Sequence, residues 1–280
     1  MNYIVEPGWA KDNIDDLLII DCRFYLQDPL KGRQEYGNDH IPGAHHFDLD
    51  LDLSGPKEQH GGRHPLPPLE KLQEKLEEVG ATNTNTILLY DAQNGAMASR
   101  LWWLLTYMGH SRTYLLNGGY DNWKRKGYPV TDALPDVTQK GDFQLDLQKD
   151  MVATAQEIFA NLQSIEKGER YLIDSREQKR YLGIEEPIDH KAGHIPGARN
   201  FFWGDNLIGD EWKNLNDLKG RFSELDPEKE LIVYCGSGVT ACPNVLALKE
   251  AGFSNVKLYP GSWSDWISYE DFPISDNSRK

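Results

Sequence analysis

The sequence predicts an α/β fold of two tandem domains, each with a parallel sheet flanked by helices. Apolar runs of four or five residues alternate with longer helical patterns, which is typical of a parallel sheet covered by helices. The pattern also occurs twice, because the pentapeptide HIPGA at 40–44 returns unchanged at 194–198. A duplicated unit of this size indicates two copies of one domain rather than a single larger sheet.

The other repeated segments follow the same order in both halves. The strand-like run 18–23 (LIIDCR) matches 171–176 (YLIDSR), and 87–91 (ILLYD) matches 231–235 (LIVYC). Each of the segments 87–91 and 231–235 ends in a loop and is followed by a helical pattern with one apolar face. The strand–loop–helix unit is therefore predicted once in each half.

The boundary between the copies falls in a polar stretch with weak periodicity, which is typical of a linker. We predict a first domain over residues 1–136, a linker over 137–148 and a second domain over 149–280. A chain of 280 residues is long enough for two domains of ordinary size.

Bulk properties exclude several classes of function. The net charge of −14 argues against nucleic-acid and membrane-surface partners, which require a basic face. The first ten residues do not resemble a secretion signal, and the longest apolar run, 101–108, is too short for a membrane span. Three cysteines (Cys22, Cys235 and Cys242) form no even disulfide framework, so we expect a reducing compartment, the cytoplasm.

Cys235 is the strongest candidate for chemistry. It follows a strand-like run and opens the loop CGSGVT (235–240) before a helix that is predicted from about Ala241. Ligands of parallel sheets bind beyond the carboxyl ends of the strands, and a glycine-rich loop before a helix turns backbone N–H groups toward an anion. We therefore expect a reactive thiolate at Cys235, whereas Cys22 and Cys242 are expected to be buried and inert.

The duplicated domains, the two HIPGA segments and the CGSGVT loop resemble the tandem-domain sulfurtransferases of the rhodanese superfamily, across essentially the whole chain. In that family the first domain is inactive, in agreement with Asp91 standing where Cys235 stands. The resemblance implies that the Cys235 thiolate takes a sulfur atom from a small anionic donor and passes the persulfide sulfur to cyanide, a thiol or a thioredoxin-like protein. The loop amides implied to hold the persulfide and donor belong to Gly236, Gly238, Val239 and Thr240.

The loop chemistry favours 3-mercaptopyruvate as the donor. Family members that use thiosulfate usually carry basic loop residues, and a dianion gains more from such cations than a monoanion does. In mercaptopyruvate-type members the loop serine acts with a histidine and an aspartate of the first domain, which implies catalytic roles for Ser237, His64 and Asp50. The last two lie within a segment, 50–68, in which the first copy has ten residues more than the second, and a long loop in a compact domain is usually functional.

A donor-binding arginine is implied at Arg180, because a guanidinium fork suits a carboxylate. Mercaptopyruvate-type members commonly have a second arginine about nine residues later, but residues 186–189 read EPID here. Thiosulfate therefore remains an alternative donor. Arg176, beside Asp174 in a motif that both halves contain, is predicted to form a structural ion pair.

Two rival functions are less well supported. Dual-specificity phosphatases have a similar loop but need an arginine six positions after the cysteine, and position 241 is alanine. Non-catalytic rhodanese-like binding modules usually lack the cysteine, which this chain retains. No Cys or His pair has metal-ligand spacing, so no metal or other cofactor is expected. His40 and His194 occur in both halves and are predicted to be structural.

Overall fold

A computed structural model of the chain describes residues 3–137 and 139–276. These residues form two compact units, each of which takes a short segment from the other half of the sequence. The first unit contains the chain up to Gly55, Leu66–Gln148 and Ile208–Trp212, and the second contains Pro56–Pro65, Lys149–Leu207 and the chain from Lys213 onward.

The first unit contains a five-stranded parallel sheet with strand order β1-β5-β4-β2-β3. The strands are β1 (Ile4–Val5), β2 (Leu17–Asp21), β3 (Ala44–His46), β4 (Thr86–Tyr90) and β5 (Thr113–Leu116). The helices are α1 (Pro7–Asp12), α2 (Lys31–Asn38), α3 (Leu69–Glu78), α4 (Ala98–Tyr107) and α5 (Gly119–Arg125), with a 3-10 turn at Ile14–Asp16.

The second unit contains a four-stranded parallel sheet with strand order β11-β10-β6-β7. The strands are β6 (Tyr171–Asp174), β7 (Arg199–Asn200), β10 (Leu231–Tyr234) and β11 (Val256–Leu258). A separate two-stranded sheet consists of β8 (Leu207–Ile208) and β9 (Glu211–Trp212), and its residues from Ile208 onward belong to the first unit. The helices are α6 (Ala155–Ala160), α7 (Leu162–Glu166), α8 (Gln178–Tyr181), α9 (Leu215–Arg221), α10 (Cys242–Ala251) and α11 (Ser262–Trp266), with 3-10 turns at Lys149–Met151 and Trp203–Asn206.

The central strands are buried along their whole length, which explains why their sequences are continuous apolar runs. Every residue of β6 and β10 is buried, and so are Ile87 to Tyr90 of β4. Helices cover both faces of such a sheet, so the strands show no alternation of polar and apolar residues. The predicted α/β class with two parallel sheets flanked by helices is confirmed.

The carboxyl ends of the strands determine where a site can form. Because all strands of each sheet are parallel, the loop after β4 leaves from the carboxyl edge of the first sheet, and the loop after β10 leaves from the carboxyl edge of the second. Cys235 is the first residue after β10, and Asp91 is the first after β4. In each unit a helix begins seven positions later, α10 with Pro243 in its first turn.

The compact units differ from the predicted domains in two places. The second unit resumes at Lys149, where the second domain was predicted to start, but residues 137–148 were predicted as a linker and belong to the first unit. The reason is that Phe143 is fully buried and accepts a hydrogen bond from the Gln73 side chain at 2.7 Å. The second difference is that Pro56–Pro65 belongs to the second unit.

No helix among residues 3–137 and 139–276 is both long enough and apolar enough to cross a lipid bilayer.

Candidate active site

Cys235 is held by its backbone at the start of the loop that follows β10. Its N–H donates to Oγ of Ser262 at 3.1 Å, and its carbonyl oxygen accepts from the N–H of Trp263 at 3.0 Å. The residue is only 1% exposed. Two hydrogen bonds to the N-terminal turn of α11 therefore fix the backbone of Cys235.

The loop turns a backbone amide toward the sulfur. The N–H of Gly238 donates to Sγ of Cys235 at 3.2 Å. Gly238 has φ +78°, and a Cβ atom there would lie 2.0 Å from the carbonyl oxygen of Pro260, so no other residue fits. A donor aimed at sulfur can stabilise negative charge that develops there during a reaction. Val239 is buried and Thr240 half-buried in the same loop, and their predicted contacts with a donor stay predictions.

Ser262 was missed by the sequence reasoning. It has φ +56°, a left-handed conformation that costs a non-glycine residue about 1 kcal/mol or more. Its hydroxyl accepts from Cys235 and donates to the carbonyl oxygen of Tyr259 at 2.9 Å. The equivalent residue of the first unit is Gly119, which has nearly the same φ of +58°. The sequence shows a serine in place of a glycine, and only the backbone angle shows that this serine is strained.

Ser237 and His64 form a buried hydrogen-bonded pair. Oγ of Ser237 lies 2.7 Å from Nδ1 of His64, and each residue is 7% exposed. Both belong to the second unit, because the Pro56–Pro65 segment packs there. The structure thus brings together two of the residues whose joint role was predicted.

The segment that carries His64 is attached to the region of α11. The N–H of Gly61 donates to Oδ1 of Asp265 at 2.7 Å, and the N–H of Arg63 donates to Oγ of Ser264 at 3.1 Å. A Cβ atom on Gly62, which has φ +78°, would lie 2.3 Å from a backbone oxygen of that region. These contacts determine the position of the His64 imidazole beside the cysteine loop.

Asp50, the third residue of the predicted set, lies in the first unit. It is exposed, and its backbone N–H donates to Oδ1 of Asp48 at 2.9 Å. Its role with Ser237 and His64 stays a prediction.

Arg180 lies in α8, beside the cysteine loop. A Cβ atom on Gly236 would lie 3.4 Å from its Nη2. The guanidinium binds both carboxylate oxygens of Glu186, with Nη2 to Oε1 at 2.8 Å and Nε to Oε2 at 3.1 Å, and it also reaches Oδ2 of Asp189 at 3.1 Å. The predicted donor-binding arginine is therefore next to the loop and already paired with two carboxylates.

Arg63 is a second cation at the same place that the sequence reasoning did not single out. It forms an ion pair with Asp189, and its Nη2 would lie 2.9 Å from a Cβ atom on Gly236. Burial lowers the pKa of Arg63, and the charge of an ionised Cys235 acts in the opposite direction. No spacing rule could find Arg63, because it lies more than a hundred residues from Arg180 in the chain.

Arg176 is structural, as predicted. It binds the carboxylate of Asp174 through Nε and Nη2, the latter at 2.7 Å, and donates to the carbonyl oxygen of Gly193 at 2.7 Å. In the first unit Arg23 forms the same kind of buried pair with Asp21.

The loop of the first unit is filled by a carboxylate. Asp91 accepts four backbone hydrogen bonds of 2.7 to 2.9 Å: Oδ1 from Gln93 and Gly95, and Oδ2 from Met97 and Ala98. Burial raises the pKa of Asp91 above its ordinary value, while these four amides lower it. The converging amides of this loop type therefore hold an anion in the unit that lacks the cysteine.

His40 and His194 have equivalent environments. Nδ1 of each lies 2.8 Å from the carbonyl oxygen of a tyrosine, Tyr36 or Tyr181, and the imidazole stacks on that tyrosine ring. Their predicted structural role is supported. Within the described residues, no three His, Cys, Asp or Glu side chains are grouped so that they could hold a metal ion.

Comparison with known proteins agrees with the fold. The family model for the rhodanese-like domain matches residues 6–126 and 156–269. A protein of Pseudomonas aeruginosa named "probable 3-mercaptopyruvate sulfurtransferase" is 43% identical over 266 residues, covering 93% of this chain and 92% of that protein. A thiosulfate sulfurtransferase of Cricetulus griseus is 34% identical, with coverage of 94% and 91%.

A solved structure gives the same result. The crystal structure of an Escherichia coli protein, described as a 3-mercaptopyruvate sulfotransferase of the "rhodanese" fold, superimposes with a TM-score of 0.81 at 30% identity. The match covers 94% of this chain and 100% of that one. Two family domains, full-length relatives and the matching fold confirm the resemblance seen in the sequence, and the chain belongs to the rhodanese family as a tandem-domain sulfurtransferase.

Proposed function

We propose that this enzyme moves a sulfur atom from 3-mercaptopyruvate to a thiophilic acceptor through a persulfide on Cys235. The observation that carries the proposal is the hydrogen bond from the Gly238 amide to Sγ of Cys235 at 3.2 Å. It aims a fixed donor at the atom that must carry negative charge when Cys235 attacks the donor and when it leaves the persulfide.

In the first half-reaction the Cys235 thiolate attacks the sulfur of mercaptopyruvate. The carbon–sulfur bond breaks, and its electron pair forms the enolate of pyruvate. The proton of the donor thiol must then reach the methylene carbon of the enolate. The Ser237–His64 pair, with 2.7 Å between its polar atoms, is suited to relay that proton.

In the second half-reaction the acceptor attacks the outer sulfur of the persulfide. The sulfur–sulfur bond breaks and its electron pair returns to Cys235 as thiolate, as in ordinary thiol–disulfide exchange. Cyanide, a small thiol or a thioredoxin-like protein fits this step, because each presents a nucleophile for sulfur. A cytoplasmic location, where such thiols stay reduced, is part of the same proposal.

Thiosulfate is the second candidate donor, and one observation favours it. Arg63 and Arg180 place two guanidinium groups beside Gly236, and two cations suit a dianion. Mercaptopyruvate remains the first candidate, because a proton relay at Ser237 and His64 serves an enolate leaving group and has no comparable use with sulfite.

The experiment that tests the proposal is steady-state turnover of the purified protein with 3-mercaptopyruvate and with thiosulfate, each with cyanide and with a dithiol as acceptor. We expect the higher kcat/KM with mercaptopyruvate. The reverse ranking would replace the proposed donor by thiosulfate, and no turnover with either donor would contradict the sulfurtransferase mechanism at Cys235.

A further inference from the structure

Two arginines beside the cysteine loop share one carboxylate. Oδ1 of Asp189 pairs with Nη1 of Arg63, and Oδ2 pairs with Nη2 of Arg180 at 3.1 Å. The side chain of Asp189 is only 4% exposed, so solvent screens these pairs weakly. The backbone N–H of Asp189 donates to Oε1 of Glu186 at 3.1 Å, so the main chain at Asp189 is held in place beside the two arginines.

The bridged arginines lie where the anionic end of a donor must lie. Gly236 follows the nucleophile directly, and a Cβ atom on it would be 2.9 Å from Arg63 and 3.4 Å from Arg180. A donor whose sulfur touches Sγ of Cys235 therefore brings its charged group within reach of both guanidinium groups.

The local charge count is balanced. Three positive charges, on Arg63, Arg180 and Arg176, face three negative charges, on Asp189, Glu186 and Asp174, because Arg176 also pairs with Glu186 at 3.3 Å. The side chain of Glu186 is 3% exposed. A monoanionic carboxylate loses little from this balance, because one guanidinium edge is enough to bind it. A dianion loses more, because its second charge meets no uncompensated cation and is repelled by the carboxylates.

We propose that Asp189 is a specificity-determining residue that neutralises the Arg63–Arg180 pair and so discriminates against dianionic sulfur donors. The inference rests on the proposed function, because it assumes that the donor binds beside Cys235. A merely structural Asp189 would instead anchor the Pro56–Pro65 segment and affect all ligands equally.

The test separates binding from chemistry by using the Cys235→Ser protein, which cannot form a persulfide on that residue. The affinities of thiosulfate, a dianion, and pyruvate, a monoanion, are measured by calorimetry at one fixed ionic strength. Asp189→Asn is expected to raise the affinity for thiosulfate relative to pyruvate by about tenfold, equivalent to about 1.4 kcal/mol. The matched control is Glu185→Gln, which removes one negative charge at an exposed position of the same loop, where it pairs with Lys179.

A second variant guards against loss of structure in Asp189→Asn. Arg63→Gln, made in the Cys235→Ser protein, should weaken thiosulfate binding by a larger factor than pyruvate binding. The inference would be overturned if Asp189→Asn left the ratio of the thiosulfate and pyruvate affinities unchanged, or if neither anion bound. It would also be overturned if Glu185→Gln changed that ratio as much as Asp189→Asn does. These affinity measurements need no sulfur transfer. The specificity role of Asp189 can therefore be refuted while the natural protein still forms its persulfide, and the persulfide mechanism can be refuted while the affinity ratio still changes as expected.

Discussion

Replacement of Asp91 by asparagine tests whether loops of this type require an anion at their centre. The carboxylate accepts four backbone hydrogen bonds, two at each oxygen, and the residue is fully buried. An asparagine oxygen can accept two of them, but its NH₂ group would face the other two N–H donors. Two buried amides would then lack an acceptor.

The expected cost follows from these two amides. A buried donor without a partner costs about 1–3 kcal/mol, so two of them would cost about 2–6 kcal/mol. Burying a neutral amide in place of a carboxylate returns part of that free energy, since burial disfavours the charge. We therefore expect Asp91→Asn to lower the free energy of unfolding by about 2–4 kcal/mol.

The assay is urea unfolding of the full chain, followed by near-UV circular dichroism. Asp121→Asn is the matched control, because Asp121 is exposed in α5 and loses the same charge. The control should change stability by less than about 0.5 kcal/mol. If Asp91→Asn unfolds at the same urea concentration as the unmodified protein, the four-amide account of the loop is wrong, and with it the analogy to the Cys235 loop.

Three further substitutions probe the site itself. Arg180→Ala should raise KM for the sulfur donor by about tenfold or more, because it removes a charged contact to the donor. It should also lower the thermal midpoint without unfolding the protein, because the buried carboxylates of Glu186 and Asp189 lose a partner; unchanged donor kinetics would show that Arg180 only pairs with its carboxylates. His64→Gln should reduce kcat by about 10²-fold or more with mercaptopyruvate, and less with thiosulfate, whose sulfite product needs no proton on carbon. An equal loss with both donors would argue against the proton relay. Ser262→Gly should relieve the strained φ but remove the oxygen that accepts from the Cys235 N–H. We therefore expect kcat to fall while the free energy of unfolding changes by less than about 1 kcal/mol. A stable variant with full kcat would show that Ser262 does not position Cys235.

Local sequence was sufficient for much of the fold. The apolar runs that became β4, β6 and β10 are continuous because those strands are buried on both faces, and their repetition revealed two units. The position of Cys235 followed from the same logic, since a parallel strand, a glycine-rich loop and a helix leave few alternatives. The pairing of His64 with Ser237 was predicted only from the family resemblance.

Long-range packing determined what the sequence could not predict. The Pro56–Pro65 segment belongs to the second unit through contacts of single backbone groups with Ser264 and Asp265, and no periodicity reports such contacts. The Arg63–Asp189 pair depends on that packing, so the region around residues 186–189, which has no second arginine of its own, receives one from a distant part of the chain. A strained φ at Ser262 is likewise invisible in the residue type.

The most direct test of the mechanism is the intact mass of the purified protein after brief reaction with a sulfur donor and no acceptor. The account predicts the gain of one sulfur atom, located at Cys235 by fragmentation and removed when cyanide is added. Cys235→Ser should show neither the added mass nor turnover. An unmodified Cys235 in a protein that still turns over, or full activity in the serine variant, would contradict the account.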